Sequence, residues 1–223
     1  DREMFRETGA IGLFLVLVFL FGEFGRLLGQ PWYVGVLASL VCAGLFGLYT
    51  RSLGQPIFLV LLVLMIPLAT TELGTDSWIT SLMEGPMKAM ALNAGWVLVY
   101  TSLIMMILRF CAAPVVKLLT PLGVLIASSV LATIGLVALS RATGLAVFAA
   151  ATLYGIGKTY LWPTMLGVVA ERFPKGGALS LNATSAVGMM SVGVVGTVFL
   201  GLIQDRTLES RLQAEQPALH QQV

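Results

Sequence analysis

Leu145-Ala-Val-Phe-Ala-Ala-Ala-Thr-Leu-Tyr154-Gly-Ile-Gly-Lys158-Thr-Tyr-Leu-Trp162-Pro-Thr-Met-Leu-Gly-Val-Val169-Ala-Glu-Arg-Phe-Pro174 is apolar over most of its length, but a lysine stands at its middle between two aromatic residues. A helix over residues 144–169, rising about 1.5 Å per residue, is long enough for a hydrocarbon core of about 30 Å and puts Lys158 near the midplane. From there a side chain of roughly 6 Å does not reach either interface, about 15 Å away, so the ammonium must face protein or water. Tyr154, Lys158 and Trp162 recur every four residues and share one helix face. A charge flanked by two rings at that depth reads as the wall of a solute pathway, with an ion pair locking two helices as the plainer alternative.

Composition sets the class. Hydrophobic residues make up 57 % of the chain and charged residues 11 %, and the mean hydropathy is +0.92. The hydrophobicity lies in long unbroken runs and not in alternation, so the expected fold is all-α, a polytopic transmembrane helix bundle of about seven spans and not a β-barrel. A scattered net charge of +2 argues against nucleic acid as a partner. Cys42 and Cys111 lack ligand spacing and His220 lies in a polar tail, so no disulfide framework, metal site or cofactor is expected. Gly157-Lys158-Thr159 imitates the end of a phosphate-binding loop, but Thr152 stands where that loop needs its first glycine. With its one histidine in the tail, the chain has no hydrolytic set, and an enzyme is not expected. Asp1 opens the chain without a leader pattern, and the chain reads as an internal piece of a longer protein.

The spans fall at about residues 9–28, 32–49, 57–82, 90–110, 122–139, 144–169 and 178–203. Glu23 and Arg26, three apart in the first, read as a local pair. The third holds Pro67, expected to kink it, followed by Glu72 and Asp76. Those carboxyls are four apart and on one face of a regular helix, where each raises the other's pKa and one is poised to take a proton; the alternative is that Asp76 is already solvated. Trp96 and Tyr100 in the fourth span carry a packing or belt reading beside a site reading. The segment from Arg109 to Pro121 reads as a loop and the fifth span as uncharged scaffold. Gly188, Gly193, Gly196 and Gly201 give the seventh span a surface on which a neighbouring backbone can lie close, and Asn182 at its start suits a polar cavity. Residues 205–223 read as a polar loop or tail. The basic residues Arg2, Arg6, Arg51, Arg109, Lys117, Arg172 and Lys175 fall on one side and favour an amino end inside, which sets Glu72 and Lys158 at similar depth.

Gly155, Gly157, Trp162 and Pro163, then Glu171-Arg-Phe-Pro-Lys-Gly-Gly-Ala178, then a glycine-rich span from Asn182, resemble helices ten and eleven of a major facilitator superfamily transporter. Glu72-Leu-Gly-Thr-Asp-Ser-Trp78 resembles helix seven of that family, in its sugar–proton symporter-like bacterial branch. By this likeness residues 53–204 correspond to helices seven to eleven of the carboxy-terminal lobe, preceded by two helices in residues 1–52. The segment from Arg109 to Gly123 departs from the family's loop signature, lacking its acidic and paired basic residues. The resemblance implies secondary active transport of a small, sugar-like solute by alternating access, coupled to protons, in a bacterial inner membrane. It assigns Lys158 to solute binding or to charge balance with Glu72, Tyr154 and Trp162 to ring stacking, Trp96 and Asn182 to the solute site, and Glu72 or Asp76 to proton coupling. It implies as partners lipid, the solute, protons and an amino-terminal lobe outside these residues. A membrane sensor or scaffold that keeps the fold without moving solute is the alternative.

Overall fold

The computed structural model describes residues 2–215, and these are helical with no strand. In chain order the helices are α1 (Arg2–Leu27), α2 (Trp32–Thr50), α3 (Pro56–Ala69), α4 (Thr75–Leu82), α5 (Glu84–Lys88), α6 (Gly95–Phe110), α7 (Ala112–Leu118), α8 (Pro121–Arg141), α9 (Ala146–Lys158), α10 (Leu161–Arg172), α11 (Gly177–Ser191) and α12 (Thr197–Glu215). A wide π turn, Thr70–Gly74, joins α3 to α4, and a second, Val192–Gly196, joins α11 to α12. The helices Glu3–Leu27, Trp32–Thr50, Pro56–Leu82, Pro121–Arg141 and Gly177–Thr207 are long and apolar enough to cross a membrane, and point to an integral membrane protein. The bent pair α6–α7, with 66° between its halves, makes a sixth if counted as one span.

The single helix expected over 144–169 is divided. It stops at Lys158 and restarts at Leu161, with Tyr160 at φ −105°, ψ 0°. Pro163 supplies a reason: its ring crowds the carbonyl four residues back, that of Thr159, and it has no N–H to offer that carbonyl. The expected loop after Arg109 is also different, for Arg109 is the penultimate residue of α6 and α7 follows the bend. The expected polar tail is helical as far as Glu215, since its residues are mostly good helix formers; His220 and the other residues past 215 lie outside the described part.

Packing fixes where the broken helix lies. Helix α9 rests on α8, and two glycines let the backbones meet. A Cβ at Gly157 would fall 2.2 Å from the Ala132 nitrogen, and one at Gly135 would fall 2.5 Å from Tyr154 backbone atoms. Helix α6 packs on the other side of α9, and α3 lies against α10 and α11. Helix α1 packs on α2, α3 and α11. Gly9 interrupts α1 at φ 59°, a conformation that suits glycine, and the freed N–H groups of Ala10 and Ile11 donate to Ser52 and Leu53 carbonyls at 3.0 and 3.1 Å. The connection between α2 and α3 is thereby fastened to α1.

In the seventh predicted span the glycines do not all admit a neighbouring backbone. Gly188 receives side chains instead, the Trp162 ring and Met65; a Cβ there would lie 2.8 Å from each. Gly196 faces Thr70, so the two π turns pack on each other.

Candidate functional site

The breaks come together around four charged side chains. In the π turn the Thr75 N–H donates to the Thr70 carbonyl, five residues back, and the extra residue rotates the start of α4 relative to a regular helix. Glu72 and Asp76 therefore do not stack as four-residue neighbours, and each meets its own cation. Glu72, with 2 % of its side chain exposed, accepts from Arg109 Nη2 at 2.6 Å. Asp76 accepts from Lys158 Nζ, which is fully buried. The Lys158–Glu72 pair expected from matched depth is not the one formed.

Backbone groups released by the breaks complete the site. The Trp162 N–H, second residue of α10, has lost a helical acceptor at the break and donates to Glu72 Oε2 at 2.8 Å. A carboxylate at the first turn of a helix also faces the positive end of its dipole. The Thr159 carbonyl, left without a donor by Pro163, accepts Arg109 Nε at 3.2 Å. Tyr160 donates its hydroxyl to the Leu108 carbonyl at 2.8 Å, near the end of α6. Tyr154 donates to the Thr71 carbonyl inside the π turn at 2.6 Å, and its ring centroid lies 5.0 Å from Lys158 Nζ. Irregular backbone among apolar helices is tolerated where protein satisfies it, and here the three interrupted segments satisfy one another.

These contacts open to one side. A cleft of about 490 Å³ is lined by Asp76, Ser102, Met105, Met106, Arg109 and Phe110. The side chain of Arg109 is 45 % exposed and that of Asp76 22 %, while their partners Glu72 and Lys158 are closed off behind them.

Of the residues expected at the site, Lys158, Tyr154, Glu72 and Asp76 are gathered, and Trp162 joins through its main chain. Its ring, half-buried, packs on Gly188 and not with Tyr154, because the break ends the shared helix face. Trp96 is exposed at the opposite end of α6 from Arg109, where it lines an apolar groove with Leu92, Val99, Tyr100, Leu103 and Phe148. Asn182 lies exposed on α11, and its side chain makes no hydrogen bond among the described residues. Arg109 is the site residue that the sequence reading leaves out. Its signal is the charge count: two carboxylates in the third span need two cations, and Lys158 is one. No family model matches this chain, and neither a curated protein nor a solved structure does so.

Proposed function

We propose that the chain belongs to a secondary transporter that moves a small polar solute across a membrane by alternating access, with Glu72 or Asp76 available to couple a proton. One observation carries the reading: two acid–base pairs, Glu72–Arg109 and Asp76–Lys158, sit where three helical segments are interrupted, and one member of each pair reaches an open cleft. Discontinuous helices whose ends meet charged groups near the middle of the membrane are how such transporters build sites that change partners. A buried ion pair adds little net stability, whereas removing one partner costs several kcal/mol. Such pairs are therefore better suited to exchange than to cement. Within this proposal the chain crosses the membrane about seven times with α9 and α10 as one interrupted span. Residues 53–204 correspond to helices seven to eleven of the carboxy-terminal lobe of a major facilitator transporter, and a bacterial inner membrane is its location.

The test is solute flux. The full-length natural protein, reconstituted in liposomes under an imposed proton gradient, is expected to accumulate a solute saturably and to lose that activity in Asp76→Asn. A second reading, a sensor or scaffold, draws support from the fact that all four charges are already paired. Binding measured beside flux separates the two, since binding without flux, in protein that melts cooperatively, rules out transport.

A further inference from the structure

The aromatic rings that favour a sugar-like solute are engaged elsewhere. Tyr154 is fully buried with its hydroxyl on Thr71, the Trp162 ring is packed on Gly188, and Trp96 is at the far end of α6. What the cleft presents instead is one carboxylate, one guanidinium, the single hydroxyl of Ser102 and an apolar wall of Met105, Met106 and Phe110. Both charged groups have bonding capacity left. Asp76 gives Oδ1 to Lys158, and its Oδ2 has no hydrogen bond among the described residues. Arg109 uses Nε on Thr159 and Nη2 on Glu72, which leaves Nη1 without a partner among the described residues.

The charges of the four residues sum to zero, two negative and two positive. A solute with net charge would leave that charge uncompensated beside a set of side chains that is neutral as a whole, at a cost that grows as the local dielectric falls. A solute that is neutral as a whole but carries an anion and a cation meets both spare groups, and the guanidinium fork suits a carboxylate in particular. Methionine side chains adapt to varied apolar shapes. The cleft's volume lies within the range of small-molecule sites.

We propose that the solute is a zwitterion with an apolar side chain, of the α-amino-acid class, its carboxylate on Arg109, its ammonium on Asp76 and its side chain on Met105, Met106 and Phe110. This rests on the proposal of transport. The test uses the full-length natural protein in liposomes under an inward proton gradient, with uptake of labelled leucine, methionine and phenylalanine. Each is challenged by its decarboxylated amine, its deaminated acid and, separately, glucose. Amino acids are expected to be taken up and to compete with one another, and either truncated analogue to compete about 10–100-fold less well, the loss of one charged hydrogen-bonded contact. Glucose uptake without amino-acid uptake overturns the zwitterion and leaves transport standing. Equal competition by an analogue removes the role given to the group it lacks, and with it the proposal. If protein that melts cooperatively moves none of these solutes, nor any in a wider screen of sugars, cations and anions, the transport reading itself fails. The competition arms need no variant, so folding defects do not obscure them.

Discussion

Lys158 has no route to water of its own. It is held by the Asp76 carboxylate at one side and the Tyr154 ring at the other. Replacing it with alanine leaves Asp76 without its cation, and Lys158→Ala is expected to cost roughly 3–5 kcal/mol of stability. Lys158→Ala combined with Asp76→Asn should cost less than the sum of the two, whereas Lys158→Ala with Glu72→Gln should come closer to additive, because Glu72 has its own partner in Arg109. Melting of the purified variants checks this, and coupling of Lys158 to Glu72 alone would sink the pairing. Arg109→Lys is a separate probe. A single ammonium does not reproduce a fork that holds Glu72 with one nitrogen and the Thr159 carbonyl with another, and a loss of about 1–3 kcal/mol is expected in the same melting assay. The buried charges are legible from the sequence because a lysine or glutamate within an apolar run has few physical excuses. Their pairing is not. A four-residue spacing implies a shared face only in a regular helix, and nothing in Thr70-Thr-Glu-Leu-Gly74 announces the extra residue per turn.

The break between α9 and α10 makes the site possible, and Pro163 is its cheapest test. With alanine there, an N–H becomes available to the Thr159 carbonyl that Arg109 now occupies, and the helix gains continuity. Because Pro163 is the third residue of α10, in the first turn where proline is tolerated, Pro163→Ala is expected to change the melting temperature little while lowering transport. Amide exchange at residues 159–162 should slow at the same time. A variant that is both less stable and unchanged in amide exchange would show that the break has another cause. Gly157 tests the packing behind it: Gly157→Val drives a side chain onto the Ala132 backbone, where no rotamer gives relief, and a loss of roughly 3 kcal/mol is expected on melting. The existence of each apolar stretch is written in its length and composition. Where a stretch is interrupted depends on tertiary partners. Pro67 is expected to disturb the third span, and the departure from regular helix comes three residues later, where Tyr154 and Gly196 lie against the turn. Pro163 is equally visible, yet the apolar run on both sides of it reads as one span by length alone.

At the scale of the molecule, three chain segments meet at one end of the bundle. Ser52 donates to the Arg6 carbonyl at 2.7 Å, and Lys175 pairs with Glu3 at 3.0 Å. Their shared basic character favours the cytoplasmic side. With the exposed Cys42 and Cys111 first replaced by serine, cysteines at Arg51 and Lys175 should be labelled only from the cytoplasm, and one at Ser140 only from outside. Labelling of Ser140 and Lys175 from the same side is incompatible with an interrupted α9–α10 span. The open face of the site sets what the 223-residue chain does alone. Its cleft is walled by α4 and α6, and the half-exposed guanidinium of Arg109 faces outward between Met106 and Phe110. A cation on such a face does not suit lipid; it calls for water or a second protein surface. The proposed alternating access needs two surfaces that close in turn on one site, and on the proposed correspondence these residues supply one of them. The purified chain in liposomes with an imposed proton gradient is therefore expected to show no saturable uptake of sugars or amino acids, while the full-length natural protein does. Saturable uptake by the 223-residue chain, lost in Lys158→Ala, would mean that two copies face each other across the cleft and form the complete carrier.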